Sequence, residues 1–230
     1  MKTTILALLS LLTLTLGCAD LPSDSSPVSG PAGNIKLPPP DLKGTVSLEE
    51  TLVQRRSIRE YSTAPLSLEE VSQLLWAAQG ITAEWGGRTA PSAGGLYPLE
   101  VYLTVGRVDT LPAGIYKYLP VGHALQPVKN TDVQAEVAQA SLDQPWVSDG
   151  AIVIVIAGVY ERTTVKYGER GIRYVWLEAG HAAQNICLQA TALNLGAVTI
   201  GAFYDDQLQK VVGMTKDETP LYVIPVGKPG

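Results

Sequence analysis

The 230-residue chain is 46% hydrophobic and 17% charged, with a formal net charge of −5. That length accommodates one domain with a sizeable core plus appendages, and a negative balance without a basic block argues against a nucleic-acid partner. Two cysteines, Cys18 and Cys187, and two histidines, His123 and His181, fall in no zinc-ligand spacing, so no metal site is expected and each histidine reads as a structural one.

Residues 1–17 start with Lys2, continue as an uncharged apolar run from Ile5 to Leu16 and end at Gly17, directly before Cys18. A charged start, a short apolar core and a small residue describe a secretory signal too short for a membrane span. Leu14-Thr15-Leu16-Gly17-Cys18 resembles a bacterial lipobox, with Thr15 as an imperfect fit, so Cys18 is expected to be lipidated and the protein anchored in the cell envelope, periplasmic or on the outer surface. Cys187 is then left without a partner. From Cys18 to Leu42 the chain is rich in Pro, Ser and Gly, which predicts a disordered tether; the folded domain is expected over 43–230.

Ser47-Leu48-Glu49-Glu50 and Ser67-Leu68-Glu69-Glu70 are two capping boxes, each opening a helix. Gly80 to Gly95 reads as loop or irregular helix leading through TAPSAGGLYPLEVY into a strand over Leu99–Val105. Segments 114–119 and 124–128 predict a hairpin, and Asp132 to Leu142 a helix. Ala151 to Ala157 is continuously apolar and β-branched, as in a strand buried on both faces. A long helix is expected from about Arg173 to Asn194, with an apolar stripe of small residues suited either to the core or to a dimer interface. Strands at Ala197–Ile200 and Leu221–Val226 and a helix over Asp205–Val212 complete an α+β or α/β domain in which helices flank a mixed sheet.

Four stretches could carry chemistry. Arg55, Arg56 and Arg59, with Ser57 among them, present planar donor forks suited to phosphate oxygens; the alternative is a solvated helix end. The loop Pro91, Ser92, Ala93, Gly94 and Gly95 carries little side-chain bulk and can lie flat against a planar ligand or form an ordinary turn. Gly201 and Ala202 offer a second bare stretch after a buried strand. RTTVKYGERGIR places Lys166 beside Tyr167, a proton donor and acceptor pair if burial lowers the lysine pKa, or merely an exposed loop lysine. Glu178, His181, Gln184 and Asn185 border the polar face of the long helix, as buried hydrogen-bonding groups, ligand contacts or caps of nearby loops. No Gly-rich dinucleotide or triphosphate loop is present.

The order RRSIREY, APSAGGLYPLEVY, ERTTVKYGERGIRYVWLEAGHAAQN, GAVTIGAF and PLYVIPVGKP resembles the nitroreductase-like flavoproteins, specifically their SagB/ThcOx-type dehydrogenase branch, over essentially all of residues 45–229. The resemblance implies an α+β sandwich whose homodimer binds FMN at the subunit interface. It implies that Arg55, Arg56, Ser57 and Arg59 grip the phosphate, ribityl chain and pyrimidine edge, that Pro91, Ser92, Ala93 and Gly95 reach the flavin from the partner subunit, and that Gly201 and Ala202 lie beside the ring. Lys166 and Tyr167 stand where azoline-oxidising relatives place a proton-removing pair.

Two features depart from the family pattern. Basic residues after the last strand are reduced to Lys228, which is expected to shift phosphate binding onto the arginine cluster, and none of the extra recognition domains of the azoline-oxidising synthetases is expected. The expected activity is therefore an envelope-anchored FMN-dependent oxidoreductase acting on an unidentified small molecule or peptide. An NAD(P)H-dependent nitro or quinone reductase and a non-catalytic flavin-binding or scaffolding lipoprotein are the alternatives; an envelope location favours the dehydrogenase direction, because NAD(P)H is a cytoplasmic cofactor.

Overall fold

Every residue of β5 (Ile152–Gly158) is buried, and its alternation divides the molecule into two layers. Ile152, Ile154 and Ile156 belong to one apolar cluster, and Val153 and Val155 to another on the opposite face. A strand covered on both faces needs apolar residues at consecutive positions, which is why this one reads as a continuous run. The computed structural model describes residues 33–230; the expected signal sequence, lipobox and most of the expected tether lie outside the described residues.

The other strands are β1 (Ile35–Lys36), β2 (Leu99–Val105), β3 (Gly114–Leu119), β4 (Ala124–Lys129), β6 (Gly196–Ala197) and β7 (Thr219–Gly227), and the spatial order is β1-β4-β3-β2-β5-β7-β6. The sheet expected to be mixed is antiparallel in every ladder between these strands. Among the described residues parallel pairing enters only through isolated bridges such as Ser57 with Ala197. The helices are α1 (Leu48–Gln54), α2 (Leu68–Gln79), α3 (Gln134–Ala140), α4 (Pro145–Asp149), α5 (Glu161–Tyr167), α6 (Arg170–Ala192) and α7 (Asp205–Val212). Both capping boxes form as expected, with Ser47 and Ser67 accepting from the N–H groups of Glu50 and Glu70 and each glutamate reaching back. Among the described residues no helix is long and apolar enough to cross a membrane.

The small-residue stripe of α6 belongs to the core. Val175, Ala179, Ala182, Ala183, Ile186 and Ala190 are buried in the cluster that holds Leu74 and Leu75 of α2 and Leu103 of β2. Their small side chains let α6 settle close to the sheet and to α2.

Three expectations shift. The stretch RTTVKYGERGIR is helical almost throughout: α5 ends at Gly168, whose φ of 58° suits a residue without Cβ, and α6 begins at Arg170, three residues earlier than expected. The two helices meet tightly, because a Cβ on Gly171 would stand 2.8 Å from the Thr164 backbone nitrogen. The strand expected at Ala197–Ile200 pairs continuously only over Gly196–Ala197 and touches β7 again through Ile200 and Val223.

The tether is also shorter than expected, since the fold begins before Lys43. Ile35 and Lys36 pair with Leu125 and Ala124 at the sheet edge, and Leu37 is buried in the core. A polar chain holds this arm in place. Ser72 Oγ lies 2.6 Å from the Pro38 carbonyl oxygen and 2.7 Å from His123 Nε2, and Tyr118 Oη lies 2.8 Å from His123 Nδ1. All three contacts are satisfied when Tyr118 donates to Nδ1, Nε2–H donates to Ser72 and Ser72 donates to Pro38, an assignment that requires a neutral imidazole. His123 is thus the structural histidine the sequence suggested.

Burial lowers the His123 pKa, against the opposing pull of the Pro38 carbonyl. The folded state therefore binds the proton less readily than the unfolded chain. Stability from this group is full above the ordinary histidine value and is lost as pH falls through it toward the lower folded value. The wild type should accordingly lose more unfolding free energy than His123→Asn between pH 7.5 and pH 5. Asn tolerates the φ of 48° at this position. Parallel denaturant curves at the two pH values measure the difference, and equal losses in the two proteins would remove the neutral-histidine assignment.

Candidate active site

The arginine segment is laid across the β6–β7 end of the sheet. Ile58 N–H donates to the Ala197 carbonyl at 3.0 Å, and Tyr61 Oη donates to the Ile58 and Pro225 carbonyls. Gly196 and Gly227 make room: a Cβ on Gly196 would stand 2.6 Å from Ile58 Cγ2, and one on Gly227 3.0 Å from the Tyr61 ring. Ile58 and Tyr61 thereby pack inward, while Arg56, Ser57 and Arg59 are exposed and Arg55 is half-buried.

Neither Arg55 nor Arg59 has a carboxylate within ion-pair distance among the described residues; the pairs present are Lys117 with Glu100 and Glu218, Arg162 with Glu100, and Lys228 with Glu70. Arg59 instead lies 5.4 Å from the Trp146 ring, next to Gln144, whose amide donates to the Ala202 carbonyl. Trp146 and Gln144 thus relate Arg59 to Ala202, while Ser57 bridges to Ala197 and Arg55 lies toward Cys187 of α6. Lys228 is committed to Glu70 at 3.6 Å, in keeping with phosphate binding that rests on the arginines.

Gly201 and Ala202 are exposed, and a Cβ added to Gly201 would meet nothing within 4 Å. An open cleft of about 390 Å³ adjoins Gly201, lined by Tyr160, Trp176, Phe203 and Tyr222. Guanidinium groups without a carboxylate partner among the described residues suit an anionic group, and the bare backbone at Gly201 with its aromatic cleft suits a flat ring.

The second group of candidates forms around Thr89 to Pro98. Ser92 Oγ accepts from Tyr97 N–H at 2.8 Å, and the turn between them needs positive φ at Gly94 (64°), Gly95 (67°) and Tyr97 (46°). At Gly94 the absence of a side chain matters doubly, because a Cβ would stand 2.7 Å from Tyr167 Oη and 2.9 Å from Lys166 Nζ. The structure therefore brings Lys166 and Tyr167 directly against the loop of Pro91, Ser92, Ala93 and Gly95. Lys166 is exposed and Tyr167 half-buried, the latter edge-on to Tyr174 with ring centroids 5.1 Å apart. Of the two sequence readings of Lys166, the single chain shows the exposed lysine, carried on a helix and not on a loop.

Arg162, one turn before Lys166 on α5, donates to the Tyr97 carbonyl at 3.1 Å and pairs with Glu100. The network continues from Glu100 to Lys117 and on to Glu218, which also accepts from Tyr102 Oη and Thr215 N–H. Burial alone would raise the Glu218 carboxyl, yet hydrogen bonds from Lys117, Tyr102 and Thr215 together hold it below its ordinary range. This network fixes α5 to the loop and to β2.

The two groups lie at different stations along α6. Arg55 is close enough to Cys187 to act on its thiol, while Ser92 stands beside Glu178. Those helix positions are nine residues apart, or about 13 Å along the axis.

Of the polar residues flagged on α6, Asn185 donates to the Thr89 carbonyl at 3.4 Å, His181 and Gln184 are exposed, and Glu178 is 2% exposed with neither carboxylate oxygen hydrogen-bonded. Burial pushes the Glu178 carboxyl up to about 7, against the opposing pull of Ser92 and the Arg88 guanidinium. Ser92 is thus near enough to favour the charge without forming a well-aligned hydrogen bond. Sequence reading left the role of Glu178 open, although its spacing from Val175 and Ala182 already placed it on the buried stripe. Arg88 was not singled out at all: nothing in its sequence context distinguishes it, and its importance comes from Gln79 and Tyr97, which the fold brings to it.

An α+β sandwich with an arginine-lined end and a glycine loop backed by a Lys-Tyr pair defines an oxidoreductase scaffold, and comparison with known proteins agrees. The Nitroreductase family profile matches residues 52–228, and the chain belongs to that family. It is 46% identical over 189 residues to the nitroreductase-family protein MJ1384 of Methanocaldococcus jannaschii, covering 82% of this chain and 94% of that one. It is 30% identical over 142 residues to the microcin B17-processing protein McbC of Escherichia coli, covering 59% of this chain and about half, 52%, of McbC. Among solved structures, a nitroreductase-family protein of Ralstonia eutropha JMP134 superposes with a TM-score of 0.75 at 31% identity, covering 86% of this chain and 90% of the other. The E. coli microcin synthetase McbBCD complex with truncated pro-MccB17 gives a TM-score of 0.66 at 25% identity, covering 84% and 77%. The likeness to the microcin-processing protein agrees with the SagB/ThcOx-type branch that the motifs suggested.

Proposed function

We infer that the protein is an FMN-dependent oxidoreductase of the SagB/ThcOx dehydrogenase type, working as a homodimer on a small molecule or peptide. The observation that carries this reading is the separation along α6 of Arg55, near Cys187 and without an ion-pair partner among the described residues, from the Ser92–Gly95 loop, which Lys166 and Tyr167 back near Glu178. Each is half of a flavin site. A second copy of the chain would complete both halves at once. The exposed apolar side chains Leu48, Leu52 and Val53 of α1 and Trp176 and Leu177 of α6 supply surface for that contact.

Within such a dimer Arg55, Arg56, Ser57 and Arg59 hold the phosphate and ribityl end of FMN, and Gly201 and Ala202 lie along the ring. Pro91, Ser92, Ala93 and Gly95 close over the partner's flavin and exclude water from it. When bound, FMN supplies the two-electron acceptor that no side chain can provide. Lys166 Nζ and Tyr167 Oη exchange the substrate's proton at the loop, where the neighbouring copy covers them. Lipidation at Cys18 in the cell envelope completes the proposal and favours substrate oxidation over NAD(P)H-driven reduction.

An absorbance spectrum of the purified protein, together with its mass in solution and its distribution on cell fractionation, tests these points. A flavin band, a dimeric mass and recovery with membranes are expected. Colourless protein that takes up no FMN on titration would leave only a scaffold, and fast bleaching by NADH or NADPH of a cytoplasmic flavoprotein would mark an ordinary nitro or quinone reductase.

A further inference from the structure

Half of the buried side-chain polar atoms that lack a partner among the described residues belong to one spot beneath the Thr89–Pro98 loop: Gln79 Nε2, Arg88 Nε and both carboxylate oxygens of Glu178. Native proteins leave few such atoms unpaired, and four in one place single out this spot. The root of the loop is well held. Arg88 Nη1 donates to Gln79 Oε1 at 2.9 Å, its guanidinium lies 4.4 Å from the Tyr97 ring, and Thr89 Oγ1 donates to the Trp76 carbonyl. The tip, Ser92 to Gly95, is backed by Glu178 near Ser92 and by Tyr167 and Lys166 at Gly94.

Resting on the flavin reading above, we propose that Glu178 is a positioning residue for the flavin-facing loop, sitting beneath Ser92 as a neutral carboxylic acid that leaves Arg88 free to hold Gln79 and Tyr97. The physical choice is between two arrangements. A neutral acid at a 2% exposed position needs no counter-ion. An ionised one would be a buried anion whose nearest cation is Arg88, and drawing the guanidinium across would remove it from Gln79 and from the Tyr97 ring. Tyr97 closes the turn through Ser92, so that movement would displace the stretch that faces the flavin. One proton thereby decides the shape of the loop. The rise of the Glu178 carboxyl toward neutral pH agrees with the neutral form in the resting arrangement.

The other charged or titratable groups around Glu178 and Arg88 are Tyr97, Glu100 and Arg162, with Lys166 and Tyr167 beyond Gly94 and the exposed His181 three residues along α6. Arg162 and Glu100 are already paired with each other, which leaves Arg88 as the partner available to an ionised Glu178.

The test is the FMN dissociation constant of the full-length dimer between pH 6 and pH 8.5, measured by flavin fluorescence for the wild type, Glu178→Gln and His181→Gln. The wild type and His181→Gln should bind roughly tenfold more weakly at pH 8.5 than at pH 6, the effect of a one-unit difference in pKa between free and bound protein. Glu178→Gln should bind as the wild type does at pH 6 and keep that affinity at pH 8.5. Infrared titration of the flavin-free wild type should show a protonated carboxyl band at pH 6 that is absent from Glu178→Gln. An affinity independent of pH, a profile unchanged in Glu178→Gln, a profile lost in His181→Gln or a missing carboxyl band would each overturn this assignment while leaving the flavin reading intact. A wild type that binds no FMN at any pH would overturn both.

Discussion

Arg55→Ala/Arg59→Ala should lose FMN at least a hundredfold more readily than the wild type while remaining folded. Neither guanidinium has a carboxylate partner among the described residues, so removing them breaks no ion pair there. The backbone that carries them is pinned by Ile58 and Tyr61, which stay in place. Charge-assisted hydrogen bonds are worth about 1.5–3 kcal/mol each, so two lost phosphate contacts amount to roughly a hundredfold to ten-thousandfold in affinity. Equilibrium dialysis against FMN, with a thermal melt as control, measures the change. Retention within threefold of the wild type by a folded double variant would place the phosphate elsewhere.

The second large effect concerns Lys166 and Tyr167. Lys166→Ala and Tyr167→Phe should each slow flavin reduction by the donor that the wild type oxidises, by about a hundredfold to ten-thousandfold, the usual range for a positioned proton acceptor or donor. FMN content should hardly change, because both residues touch the loop at Gly94 and neither touches the arginine segment. Single-turnover spectroscopy separates the two quantities. Loss of flavin in parallel with loss of rate would make the pair a part of the loop's scaffold, and an unaltered rate would remove it from the chemistry altogether. Arg162→Ala should give a smaller loss of the same kind, since Arg162 ties α5, and with it Lys166 and Tyr167, to the Tyr97 carbonyl.

Local patterns of the chain carried most of the fold. The capping serines, the alternation in β3, the unbroken apolar run of β5 and the acidic start of α7 all mark elements that form where expected, because each depends on neighbours in sequence. The misplaced boundaries share a different cause. Ile35 and Leu37 sit among prolines and look like tether until β4 offers an edge and the core offers a place for Leu37. Lys166 looks like a loop lysine until Gly171 allows α5 to fold back on α6.

The candidate site divides in the same way. Its glycines and arginines are visible as composition, whereas the meeting of Gly94 with Lys166 and Tyr167, the chain from Arg162 to Glu218 and the unpartnered carboxyl of Glu178 join residues far apart in sequence. Burial of Glu178 could have been read from its helical spacing. The proposal that a second chain completes the site rests on the resemblance to a family and not on any single stretch of residues.

The early start of the domain bears on where such an enzyme could work. With the fold beginning at Ile35, a lipid on Cys18 would be joined to the first strand by 17 residue steps, a reach of about 60 Å at full extension, against about 85 Å had the fold begun at Lys43. A domain of this size is itself roughly 40 Å across. Such a leash would reach about one and a half times the width of the body it holds, and a dimer would carry two of them. Such a particle would stay within about one and a half body widths of the lipid surface, and its substrates would have to come to it there.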